Sequence, residues 1–144
     1  MKNNILYIAS SSTISWAFEN TSEILGSRYY HHGVSALTDA QEFVHSGVDI
    51  VVMYPFYIGY LDFPFSDKQA SHDNLRIFAG YHFWKQELAP KGIKTILVDL
   101  HIQHSEYIPA VRLRWKDKPF VYFFDHLHSW ESSELLAALI RSKA

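Results

Sequence analysis

Four consecutive apolar residues, Ile50-Val51-Val52-Met53, constrain this chain more than any other stretch. A β-strand points successive side chains to opposite faces, so a strand that is apolar at every position needs cover on both. Helices packed on the two faces of a parallel sheet supply that cover. The run opens "VDIVVMYPFYIGY", and three further segments share its character: "NILYIA" (Asn4 to Ala9), "KTILVDL" (Lys94 to Leu100) and "PFVYFFDHL". "RYYHHGV" is a more polar strand.

Between these runs the apolar period changes from strand-like to helical. In "SSSTISWAFENTSEIL", Ile14, Ala17, Phe18, Thr21, Ile24 and Leu25 fall on one helical face, with Ser10 to Ser12 as N-caps and Gly26 as the left-handed exit. "SALTDAQEFVHSG" places Leu37, Ala40, Phe43 and Val44 on one face and stops at Gly47. Ile77, Phe78, Tyr81, Trp84, Lys85 and Leu88 mark a helix from Asn74 to Leu88 that "APKG" ends. "SWESSELLAALIRSKA" is a terminal helix capped by Ser129, with Leu135, Leu136, Leu139 and Ile140 on its buried stripe. Strands alternating with helices predict a single α/β domain over residues 1–144, a three-layer sandwich with a mostly parallel five-stranded sheet and right-handed crossovers.

Composition narrows the function classes. The 13 Lys+Arg against 15 Asp+Glu leave a formal charge of -2, which gives no pull toward nucleic acid or an anionic membrane. The absence of Cys removes thiol catalysis and Cys-based zinc sites and fits a reducing compartment, the cytoplasm. The early apolar run "ILYIA" is too short for a signal-peptide core or a bilayer span.

In open parallel sheets ligands bind beyond the carboxyl ends of the strands. That rim would gather Tyr54-Pro55-Phe56-Tyr57, then Asp99-Leu100-His101 with His104 beyond, and Asp125-His126-Leu127-His128. Imidazole and carboxylate together suit zinc, manganese or iron. The spacing matches no zinc signature, however, and strand alternation turns Asp99 and His101 one way but Asp125 and His126 opposite ways. A carboxylate or imidazole at a strand end also commonly serves only as a cap or loop acceptor. His31-His32 and His45 are assigned no chemistry. No Gly-x-Ser-x-Gly elbow, Walker A loop or Gly-x-Gly-x-x-Gly occurs, so no catalytic residue is assigned.

"TILVDLHIQ" resembles the Val-Asp-Leu-His-x-x-Gln segment of ribose-phosphate pyrophosphokinases (phosphoribosyl pyrophosphate synthetases). In the same order, "VVMYPFYIGY" is similar to that family's strand ending Ile-Pro-Tyr-Phe-Gly-Tyr, and "FFDHLHSWESSELLAALI" to its Val-Asp-His-Leu segment. The resemblance covers Asp49 to Ile140, the N-terminal half of such an enzyme. It implies a phosphoribosyltransferase-like (Rossmann-like) fold, a place in nucleotide biosynthesis, and Mg-ATP binding by Asp99, His101, Tyr60 and Asp62, with His101 beside the phosphates and magnesium. Implied partners are a nucleotide or phosphorylated sugar, a protein carrying the C-terminal half, and further copies of the chain.

Departures from the family pattern make the match a degenerate one. Leu61-Asp62-Phe63-Pro64 follows Gly59-Tyr60 where the family carries two arginines, and the ribose 5-phosphate-binding half is missing. The resemblance therefore implies a half-length relative, inactive alone, that serves as a partner subunit or a nucleotide-binding paralogue. The alternative is a module resembling a response-regulator receiver. Receivers need acidic residues after strand one and an aspartate ending strand three; Ala9-Ser10 and Tyr54 stand there, which makes this a pseudo-receiver for protein interaction without phosphorylation chemistry.

Overall fold

Strand β1 (Asn3–Ile8) runs through the middle of a parallel sheet, between β2 (Tyr29–Val34) and β3 (Ile50–Met53). Beyond β3 lie β4 (Lys94–Leu100) and β5 (Val121–Phe124), giving the order β2-β1-β3-β4-β5. The pairings place Ile8 beside both Val34 and Met53, Met53 beside Leu97, and Leu100 beside Phe124. This computed structural model describes residues 3–9, 11–54, 80, 82–100, 121–124 and 130–144.

The helices cover both faces, as strands with uninterrupted apolar runs require. Helix α1 (Ser11–Leu25) and the C-terminal helix α3 (Trp130–Lys143) pack together on one side, joined also by Arg141 Nη2 donating to the Ile24 carbonyl at 3.2 Å. Beneath them lies a core of Ile5, Tyr7, Ile50, Val52, Ile96 and Val98, closed by Leu136 and Ile140 from α3. Leu6, Ile8, Val51, Met53 and Leu97 alternate with those residues and are equally buried on the other face. There α2 (Leu37–Ser46) buries Leu37, Ala40 and Val44. It meets a π-helical turn at Trp84–Leu88, where Glu87 accepts from Gln41 Nε2 at 2.7 Å and lies 3.2 Å from His45 Nε2. Strand order and helix sides follow from right-handed crossovers: the chain winds one way from β1 to β2, then reverses through α2.

Helix ends follow the expected chemistry. Gly26 leaves α1 at φ 72°, a conformation open to glycine at no steric cost. Gly92, at φ 64°, ends the turn Ala89–Lys91; its N–H donates to the Ala89 carbonyl and that of Ile93 to the Leu88 carbonyl, both at 3.1 Å. This crossed pair is a Schellman closure.

Two apolar stripes differ from the sequence expectation. Ile77, Phe78 and Tyr81 lie outside the described residues. Among the described residues of the stretch before Gly92, Lys85 is exposed, while Phe83 and Leu88 are fully buried. Their spacing of five matches the π turn, in which the Ala89 N–H reaches the Trp84 carbonyl. The regular 3.6-residue period thus places Leu88 correctly but puts Lys85 on that face and leaves Phe83 off it. In α3 the buried residues are Ser132, Ser133, Leu136, Ala137 and Ile140. Leu139 packs partly against the core, and Leu135 is 50% exposed. Small Ser and Ala side chains let α3 lie close to the sheet and α1, so the face is set by fit rather than by hydrophobicity alone. Among the described residues no helix is long and apolar enough to cross a membrane.

Candidate functional site

The carboxyl rim is the place to look, and the crevice between β1 and β3 is its centre, because the chain reverses its winding there. β1 runs out into Ala9, whose N–H donates to the Val34 carbonyl at 3.0 Å; β3 runs out into Tyr54, whose N–H donates to the Ile8 carbonyl at 3.1 Å. Both residues are therefore held by backbone ladders at a fixed height. Both are also closed off from solvent, Ala9 at 0% and Tyr54 at 2% exposure. Tyr54 belongs to the same apolar cluster as Tyr7, Val52 and Val98. Burial, and then the neighbouring Tyr7, push its phenol well above the ordinary tyrosine range, so it stays neutral.

An apolar alanine and a neutral buried phenol cannot gather a cation or accept a phosphoryl group as a carboxylate would. Further along the rim, Asp99 lies in β4 beside Phe123 of β5. The remaining residues expected to bind nucleotide or metal, Tyr60, Asp62 and His101, lie outside the described residues, as do His104, Asp125, His126 and His128. Among the described residues no three His, Cys, Asp or Glu side chains come together as a metal site.

The polar cluster that the sequence reading passed over lies on β2. His31 was assigned no chemistry, yet its Nδ1 is 3.2 Å from the Tyr7 hydroxyl, and its ring stacks with Tyr7 and meets Phe18 edge-on. Burial holds the imidazole below its ordinary range; the Gly26 backbone pulls the other way, and His32 adds to the lowering. Its Nε2 is buried and has no hydrogen-bond partner of normal geometry among the described residues. His32 turns to the opposite face, against the Phe43 ring and 3.4 Å from Asn4 Oδ1. A Tyr in one strand and a His in the next, each aligned with an aromatic helix residue, was the available signal.

A cleft of about 300 Å³ opens at the amino edge of the sheet, lined in part by Asp49, Lys91, Lys94 and Lys143. Its one side-chain carboxylate is engaged, since Asp49 Oδ2 accepts the Asn4 N–H at 2.7 Å. Lys94 Nζ donates to the Lys143 carbonyl.

No family model and no curated protein matches the chain. Solved structures do. The chain is similar to a response regulator from Chloroflexus aurantiacus J-10-fl at 12% identity, covering 99% of both chains with a TM-score of 0.58. It is similar to the signal receiver domain of a Luxo repressor protein from Vibrio parahaemolyticus at 11% identity, covering 96% of this chain and 89% of that one with a TM-score of 0.52. A lysine decarboxylase from Francisella novicida contains a similar unit, matched over 99% of this chain but 18% of the enzyme, at 12% identity and a TM-score of 0.52. The fold resembles that of a receiver domain.

That finding overturns the resemblance to ribose-phosphate pyrophosphokinases, and with it the phosphoribosyltransferase-like fold and the place in nucleotide biosynthesis. The physical reason is visible in the residues that carried it. "TILVDLH" and "VVMYPFYIGY" are apolar strands emerging at a carboxyl rim, and double burial imposes that composition on any parallel α/β sheet. The order of such segments along the chain carries little more information than the fold class itself.

Proposed function

We propose that this chain is a receiver-like protein-interaction module that operates without phosphorylation chemistry. The observation that carries this reading is Tyr54: it ends β3 where a receiver presents its phosphorylated aspartate, and it is buried and neutral. Ala9 supports it, because no acidic residue occurs between Ile8 and Glu19 to hold a cation beside that position. With the chemistry gone, the fold still offers helix faces and a sheet edge as binding surfaces.

The test is incubation of the full chain with a small phosphodonor and magnesium, followed by intact-mass spectrometry. The expected result is an unchanged mass. A phosphorylated aspartyl adduct would overturn the reading. A parallel melting series with Mg-ATP tests the nucleotide role of Asp99, His101, Tyr60 and Asp62: the interaction module expects no stabilisation, whereas a rise in Tm lost in His101→Ala would put a nucleotide site on this rim instead.

A further inference from the structure

Among the described residues strand β2 is an edge of the sheet, paired with β1 alone. In a parallel pair, the N–H and C=O of one residue point to the same side, and successive residues alternate. The Val34 carbonyl receives the Ala9 N–H, so Tyr30, His32 and Val34 turn their backbone groups toward β1. Tyr29, His31 and Gly33 turn theirs outward. Edge strands are ordinarily guarded by lysine, other charges or proline, yet Tyr29–Val34 reads YYHHGV and holds none of them.

We propose that β2 pairs antiparallel with β2 of a second copy of this chain, around a twofold axis normal to the sheet at His31. The register follows from the backbone. Directly opposed residues must point the same way from the sheet, so a slip by one residue is forbidden by the pleat. A slip by two leaves one outward residue of each chain unpaired. Centred on His31, the pairing joins His31 to its own copy and Tyr29 to Gly33 of the second copy. Each of the three outward residues on either chain then donates one hydrogen bond and accepts one.

The side chains fit the same register. On the α1 face Tyr29 lies across from a glycine, and an aromatic ring covering a cross-strand glycine repairs a weak point in an edge. On the α2 face Tyr30, 51% exposed, lies across from His32 of the second copy in the closer, non-hydrogen-bonded pair, where aromatic contacts are strongest. A net charge of -2 per chain opposes association only weakly. The inference rests on the edge itself and stands whether or not the rim binds phosphate.

The chain lacks Cys, so single cysteines report contacts directly. A mixture of Tyr30→Cys and His32→Cys chains should cross-link under mild oxidation more than either alone, and Leu135→Cys, on the outer face of α3, should not. Light scattering should give twice the 16.7 kDa chain mass. Tyr30→Lys, a change at a position 51% exposed, should keep the parent's far-ultraviolet circular dichroism while weakening association about tenfold, because the cross-strand pair is lost twice per dimer. A monomer at every concentration overturns the proposal. So does a dimer that Tyr30→Lys leaves intact, or one that Leu135→Cys links instead.

Discussion

Replacing Ile140 and, separately, Leu135 by alanine asks which face of α3 holds the domain together. Ile140 is fully buried in the core with Ile96, Val98 and Leu25, whereas Leu135 is half exposed, five residues earlier. Removing three buried carbons loses their transfer free energy and leaves a cavity, together about 2–5 kcal/mol. A domain's whole stability is roughly 5–15 kcal/mol, so Ile140→Ala should remove a large fraction of it. At about 3 kcal/mol, and with each kcal/mol worth roughly 2–4 °C in a chain near this size, the melting midpoint should fall about 6–12 °C. Leu135→Ala should stay within about 0.5 kcal/mol, the range of surface changes, and alanine's helix propensity gives a small gain that offsets lost contacts. Urea unfolding followed by far-ultraviolet circular dichroism measures both, and an unchanged slope would confirm that the midpoint shift reflects stability. Equal losses from the two variants would refute the burial pattern, because they would put both leucine-rich faces of α3 against protein.

Two further outcomes follow from the β2 cluster and the β4 entry. Because burial holds His31 below the ordinary 6.5, the unfolded chain takes up its proton first as pH falls. The contribution of neutral His31 is thus fully present above 6.5 and is lost as pH drops through that value toward the folded pKa. Urea midpoints across that window should fall less steeply in His31→Phe than in the parent, and an identical slope would remove His31 as the source. Gly92 sits at φ 64° with open space where a Cβ would go, so Gly92→Ala meets only backbone strain and should cost about 1 kcal/mol in the same assay, with Gly92→Asn costing less. A neutral Gly92→Ala would mean that the turn after Leu88 relaxes out of the left-handed region.

The fold class was legible because it depends on signals that double burial enforces. Ile50 to Met53 and Ile96 to Val98 are apolar on both faces, and only a covered parallel sheet accommodates that; Gly26, Gly47 and Gly92 then mark where helices end. Finer placement was not legible where local geometry departs from the regular period. The π turn brings Phe83 and Leu88 to one face across five residues. In α3, Ser132, Ser133 and Ala137 displace Leu135 from the interface because close approach of the helix outweighs the burial of one larger side chain.

The site was harder to read for a related reason. Residues at the end of a buried parallel strand are chosen under two constraints, closing the core and presenting chemistry, and a short motif does not separate them. Asp99 and His101 at the end of β4 drew a nucleotide role from the family resemblance alone, whereas Tyr54 after β3 already stood where a receiver would keep its aspartate. Tyr54 is fixed by its N–H to the Ile8 carbonyl and by the cluster around Tyr7, so it is part of the core at the position where a receiver keeps its reactive carboxylate, while His101 lies outside the described residues. An aspartate introduced there would have to be buried among Tyr7, Val52 and Val98 with nothing from Ala9 to compensate its charge, a cost of several kcal/mol. The packing that stabilises the centre of this sheet thus leaves no carboxylate at that position, which is why the proposed module works without phosphorylation chemistry and why the β2 edge is the surface proposed for binding.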